Sequence, residues 1–132
     1  VELCGDVFHY GARSSAAWMA KVQPKSYLYH FTRTTEKMKA TGLGCAHGAE
    51  LNHVFGNAHD TKDFTDEDRK LASQIVAYFA HFAETGDPNG VGPEWPACTT
   101  AGEHVMIFDT PVHVEQDFRK KTLDALAALK KN

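Results

Sequence analysis

Between Thr65 and Gly86 the apolar side chains return every three or four positions, with Leu71, Ile75, Phe79 and Phe82 in one stripe among charged residues. That period predicts a helix of roughly twenty residues with one buried face. Thr65 is placed to cap it. Asp66, Glu67 and Asp68 load the first turn, where the helix dipole favours negative charge, and Gly86 before Asp87-Pro88 stops it.

The rest of the chain is less regular. Phe8, Ala12, Ser15 and Met19 have helical spacing and predict a first helix over residues 6–22, ended by Pro24. Ser26 to Thr32, rich in aromatic residues, reads as a short strand buried on both faces. From Thr34 to Asp63 no period holds and glycine recurs at 42, 44, 48 and 56, which predicts a long irregular connection with short helical turns at most. Leu43, Leu51, Val54 and Phe55 argue against disorder there. Residues 89–102 are turn-rich, and His104 to Asp109 reads as a second strand closed by Pro111. After Glu115, the residues Phe118, Thr122, Leu126 and Leu129 predict an amphipathic terminal helix. Two strands more than seventy residues apart must pair with each other or with strands elsewhere, and the expectation is the latter: the end of a larger sheet.

Composition narrows the function classes. A chain of 132 residues has the length of one domain, and no linker or repeat divides it, so residues 1–132 read as a single segment. The formal charge of -3 gives no cationic field for a phosphate backbone, which argues against a nucleic-acid partner. Lys120, Lys121, Lys130 and Lys131 read as a solvated helix end that suits the negative end of the dipole. Cys4, Cys45 and Cys98 lack C-x-x-C spacing, so no zinc knuckle or dense disulfide framework is signalled and no compartment is set. No apolar run is long enough for a membrane span, and no leader pattern opens the chain. It starts at Val1 rather than methionine, and further polypeptide upstream is expected.

The chemistry concentrates in GCAHGAELNHVFG, residues 44–56, where His47 stands among Gly44, Ala46 and Gly48. A core histidine needs apolar neighbours. One that meets a reacting group needs open approach, and an imidazole with an ordinary pKa near 6.5 can take and return a proton at neutral pH. For His47 both a turn role and a general-base role stand on these grounds. His47, His53 and His59 lie six apart, which matches no helical zinc site, and neither a metal nor a cofactor is assigned. His30 and His81 fall in apolar patterns and read as hydrogen-bonded core or boundary residues. Cys45 is too close to His47 for the two to converge on one atom, and reads as a small buried residue. Glu50 reads as a structural carboxylate steadying the loop.

In order, YLYHF, GCAHGAELNHVFG, FTDEDRKLASQIVAYFAHFAETGDPN, EWP and VMIFD resemble the C-terminal part of the type-B carboxylesterases, the family that includes the cholinesterases. The resemblance implies the last strands and helices of an α/β-hydrolase fold, incomplete on its own. It implies a serine, a carboxylate and a histidine acting in that chain order on a small-molecule carboxylic ester, so that a C-terminal piece holds only the histidine. His47 then matches the family's catalytic base and Glu50 the acidic residue after it. Asn52-His53 departs from the proline and aromatic residue of many relatives. The serine, oxyanion glycines and acid fall to the remainder of the hydrolase chain. Two other readings stay open on the sequence: a non-catalytic adhesion-type relative, and a small independent metal-binding domain.

Overall fold

The computed structural model describes residues 2–42, 44–99 and 103–129, with side chains from Asp6 onward. Leu43, Gly102, Lys130, Lys131 and the side chain of Cys4 lie outside the described residues.

Each element starts and stops for local reasons. Helix α1 spans Glu2–Met19 and strand β1 Leu28–Phe31. Helix α2, Glu36–Thr41, is capped by the Thr35 hydroxyl, which accepts from the Met38 amide at 3.4 Å. A short helix α3, Leu51–Val54, and a 3-10 turn, Asn57–His59, complete the expected irregular connection. Helix α4 spans Asp66–Thr85 as the period predicts. Its cap is reciprocal: the Asp68 amide donates to Thr65 Oγ1, and Asp68 Oδ2 accepts from the Thr65 amide. Gly86 ends it with φ +74°, a left-handed conformation that favours glycine. Strands β2, His104–Phe108, and β3, His113–Gln116, are followed by helix α5, Lys120–Leu129.

The three strands form one sheet in the order β1-β2-β3. The Thr32 amide donates to the Phe108 carbonyl at 3.2 Å and Thr32 Oγ1 donates to Asp109 Oδ2 at 2.7 Å, so the carboxyl ends of β1 and β2 meet and the two run parallel. β2 and β3 are joined by a tight link that contains the cis Thr110-Pro111 bond, which makes them an antiparallel hairpin. The two long-separated strands pair with each other, which the sequence reading places second, while the expectation that they belong to the end of a larger sheet is untouched by that pairing. β1 is also not buried on both faces, because Tyr29 is exposed and Leu28 and His30 are half-buried.

Two compact units divide the chain. One comprises Val1–Leu28, Pro96–Val105 and Glu115–Asn132. In it α1 packs on α5, Arg13 pairs with Glu103 and with Asp124, and Arg119 Nε lies 2.8 Å from Asp6 Oδ1. The buried residue of α5 is Leu123, with Leu126 and Ala127 half-buried, while Thr122 and Leu129 face solvent. The apolar face is thus rotated by one position from the expected stripe. Lys120 and Lys121 open α5 instead of closing it, and Lys120 Nζ pairs along the helix with Asp124 Oδ2 at 2.7 Å. Phe8 and Trp18 of α1 are exposed.

The other unit comprises Tyr29–Trp95 and Met106–Val114. Its core is aromatic. Phe108, fully buried, has ring centroids of Tyr29 and Trp95 at 5.4 Å, Tyr78 at 6.0 Å and Phe79 at 6.4 Å. Leu71 and Ile75 complete the buried stripe of α4, which continues through Tyr78, while Phe82 is exposed. Among the described residues no helix is long and apolar enough to cross a membrane.

Candidate active site

The candidate site lies in the second unit, past the carboxyl end of β1, the edge at which open α/β sheets hold their ligands. Residues 44–50 turn on two glycines, Gly44 with φ +66° and Gly48 with φ +82°. Ala46 O accepts from the Ala49 amide at 3.1 Å and Gly48 O from the Leu51 amide at 3.2 Å, and the turn feeds directly into α3. A β-carbon at position 48 would meet only Leu51 Cδ1 at 3.6 Å, so glycine is required there by backbone conformation and not by space. His47 stands on this turn with its side chain exposed.

The neighbouring residues take distinct roles. Cys45 reaches the surface, which corrects the expectation of burial, and its Sγ donates to the Phe31 carbonyl at 3.4 Å. Desolvation by the surrounding protein, with the negative charge of Glu50 and Asp109 added, pushes its pKa up to about 11. Such a thiol is not a nucleophile at neutral pH. The Glu50 carboxylate makes no capping bond to α3; it is the Glu50 carbonyl that accepts from the amides of His53 and Val54, each at 2.9 Å. The backbone of Glu50 thus joins the loop to α3.

The three histidines spaced six apart do not converge. His47 and His59 are exposed, whereas His53 is 1% exposed, with the Phe31 ring at 4.8 Å and the Phe64 ring at 4.4 Å. His81 is a boundary residue whose Nδ1 meets the Asp87 carbonyl at 2.8 Å, as its place in the α4 pattern indicates.

Sequence reasoning missed the frame that holds the turn. Arg33, just past β1, donates from Nε to Asp68 Oδ1 at 2.6 Å and from Nη1 to Thr110 Oγ1 at 2.6 Å. Burial alone would raise the Asp68 pKa, but hydrogen bonds from Arg33 and Thr65 outweigh it and hold the carboxyl below the usual carboxylate range. Asp68 was legible as a first-turn acid; nothing in the sequence marked Arg33 as its partner.

A parallel strand pair, an antiparallel third strand and packed helices are consistent with part of an α/β fold, and the solved structures that this chain resembles are α/β-hydrolase esterases. Residues 1–126 match the carboxylesterase family, and the chain belongs to it. It is 30% identical to carboxylesterase 5A of Felis catus over 94% of this chain and 25% of that protein. It is 42% identical to acetylcholinesterase 1 of Caenorhabditis briggsae over 48% of this chain and 11% of that protein. Among solved structures, an esterase from the anaerobe Clostridium hathewayi, which hydrolyses aliphatic aromatic polyesters, superposes with a TM-score of 0.72 at 28% identity, over 83% of this chain and 22% of that one. A pNB esterase gives a TM-score of 0.61 at 28% identity, over 74% of this chain and 20% of that one. The chain spans 11% to 25% of the length of these relatives.

Proposed function

We propose that this chain supplies the general acid/base histidine, His47, of a serine carboxylesterase whose nucleophile, oxyanion donors and orienting acid lie in polypeptide outside these 132 residues. The observation that carries the reading is an exposed imidazole on a glycine-bounded turn, inside the segment that matches the carboxylesterase family.

The chemistry follows from what an imidazole does near neutral pH. His47 takes the proton of the serine hydroxyl as the oxygen attacks the ester carbonyl, and returns it to the departing alkoxide. It then deprotonates the water that releases the acyl group, regenerating the serine. The exposed apolar side chains Phe8, Trp18 and Phe55 support a role for the remainder of the hydrolase chain as the principal partner.

The test is His47→Ala in the complete polypeptide with a short-chain aryl ester. Turnover falls by several orders of magnitude while circular dichroism and the unfolding midpoint stay at wild-type values. Retained turnover in a folded variant overturns the assignment. The 132 residues alone are expected to show no turnover in the same assay.

A further inference from the structure

His53 is a buried polar side chain packed between aromatic rings. It is 1% exposed, and neither Nδ1 nor Nε2 has a hydrogen-bond partner among the described residues. Its ring lies between Phe31, the last residue of β1, at 4.8 Å and Phe64, just before α4, at 4.4 Å. A neutral imidazole fills that space as a flat, weakly polar ring. An imidazolium would bring two N–H donors and a charge between two aromatic rings, where only the Ala49 backbone and the Asp68 charge favour it.

The charged groups around it do not rescue the cation. From α4 the facing group is Asp68, whose oxygens are already engaged by Arg33 and by the hydroxyl and amide of Thr65. Past β1 it is Arg33, which repels a second positive charge. The 3-10 turn turns Ala58 inward beside Phe64 and Ala72, and keeps its one titratable side chain, His59, exposed. On its own element the Glu50 carboxylate makes no bond to α3. Desolvation therefore dominates and lowers the His53 pKa below the ordinary 6.5, although the Asp68 charge and the Ala49 backbone dipole pull the other way.

His53 sits in α3, directly after the turn that carries His47, and its own amide closes that turn onto Glu50 O. We propose that His53 is the positioning residue that seats the His47 turn, and that proton uptake by its buried ring unseats α3 and makes the turn acid-labile. Its bearing on catalysis rests on the reading of His47 above; its structural readout does not.

The sign follows from linkage. Above pH 6.5 the ring is neutral whether α3 is seated or not, so seating is unaffected by pH. Below it the unseated ring binds a proton that the seated one refuses, and the equilibrium shifts toward the open form by about tenfold per pH unit until the seated pKa is reached.

The experiment is amide hydrogen exchange on the complete polypeptide between pH 7.5 and pH 5, corrected for intrinsic rates and read at His53, Val54 and Phe55. Wild-type protection at these amides falls by about tenfold per pH unit below 6.5, and His53→Phe, which keeps an aromatic ring and removes the titration, abolishes that slope. Equal slopes in the two proteins overturn the proposal. Where His53→Phe does not fold, the His53 ring is titrated by NMR in the wild type: refusal of the proton until α3 opens supports it, and uptake at or above pH 6.5 with α3 still protected overturns it. His47→Ala leaves the slope unchanged, which separates this inference from the assignment of the base.

Discussion

Arg33 Nε donates to Asp68 Oδ1 at 2.6 Å while Asp68 Oδ2 serves the cap of α4, so one fully buried carboxylate fastens the exit of β1 to the start of the longest helix. The turn bearing His47 lies between these two anchors in sequence.

Removing Asp68 takes the buried carboxylate from Arg33 and leaves it the Thr110 hydroxyl and the exposed Glu67 carboxylate at 3.6 Å. Asp68→Ala, which also takes away the α4 cap, is expected to lower unfolding stability by about 3–5 kcal/mol, measured by denaturant titration. Because the folded pKa of Asp68 is depressed, its contribution is complete above the unfolded value near 4 and is lost as pH falls through the lower folded value. Acid unfolding of the wild type in that range, flattened in Asp68→Asn, checks the direction.

Gly48 holds φ +82°, a conformation that glycine adopts freely and that a β-carbon would strain. Gly48→Ala is expected to cost about 1–2 kcal/mol and to displace the His47 turn, reducing kcat of the complete polypeptide with little change in the global fold. Wild-type kcat in that variant would show that the backbone there is not constrained by the reaction.

Asn89 grips Trp95 by its backbone: its Oδ1 accepts from the Trp95 amide at 2.6 Å and its Nδ2 donates to the Trp95 carbonyl at 3.1 Å and to Asp87 Oδ1 at 2.8 Å. Asn89→Ala removes these side-chain bonds beside a ring that packs on Phe108, and a loss of about 1–3 kcal/mol is expected in thermal or denaturant unfolding.

Cys45 is exposed but its thiol pKa is raised to about 11. Iodoacetamide should modify it slowly at pH 7, with a rate climbing about tenfold per pH unit toward that value, as followed by mass spectrometry. Rapid labelling at pH 7 would mean that the thiol is not desolvated beside Glu50 and Asp109.

What could be read from the residues was whatever depends on neighbours in sequence. α4 declared itself because its cap, its period and its glycine stop all lie within its own length. The pairing of β1 with β2 and the bond from Arg33 to Asp68 join distant positions, and no local pattern encodes them. β3 was hidden by its composition, because Val114 is the one apolar residue of His113–Gln116. The one-position rotation of α5 has a similar cause: Leu123 is selected by the face that α1 offers, which the sequence of α5 alone does not contain. His47 stood out because its small neighbours are adjacent to it, whereas the burial of His53 depends on Phe31 and Phe64, both distant from it along the chain.

Phe55 is 71% exposed, Phe8 68% and Trp18 62%, and these figures bear on handling as much as on architecture. Produced without further polypeptide, the 132 residues would present sticky aromatic surface to every neighbouring copy, and light scattering should rise with concentration at low salt and still more in sulfate. Their colloidal behaviour would then report on wetted rings, whereas unfolding experiments report on the packed ones.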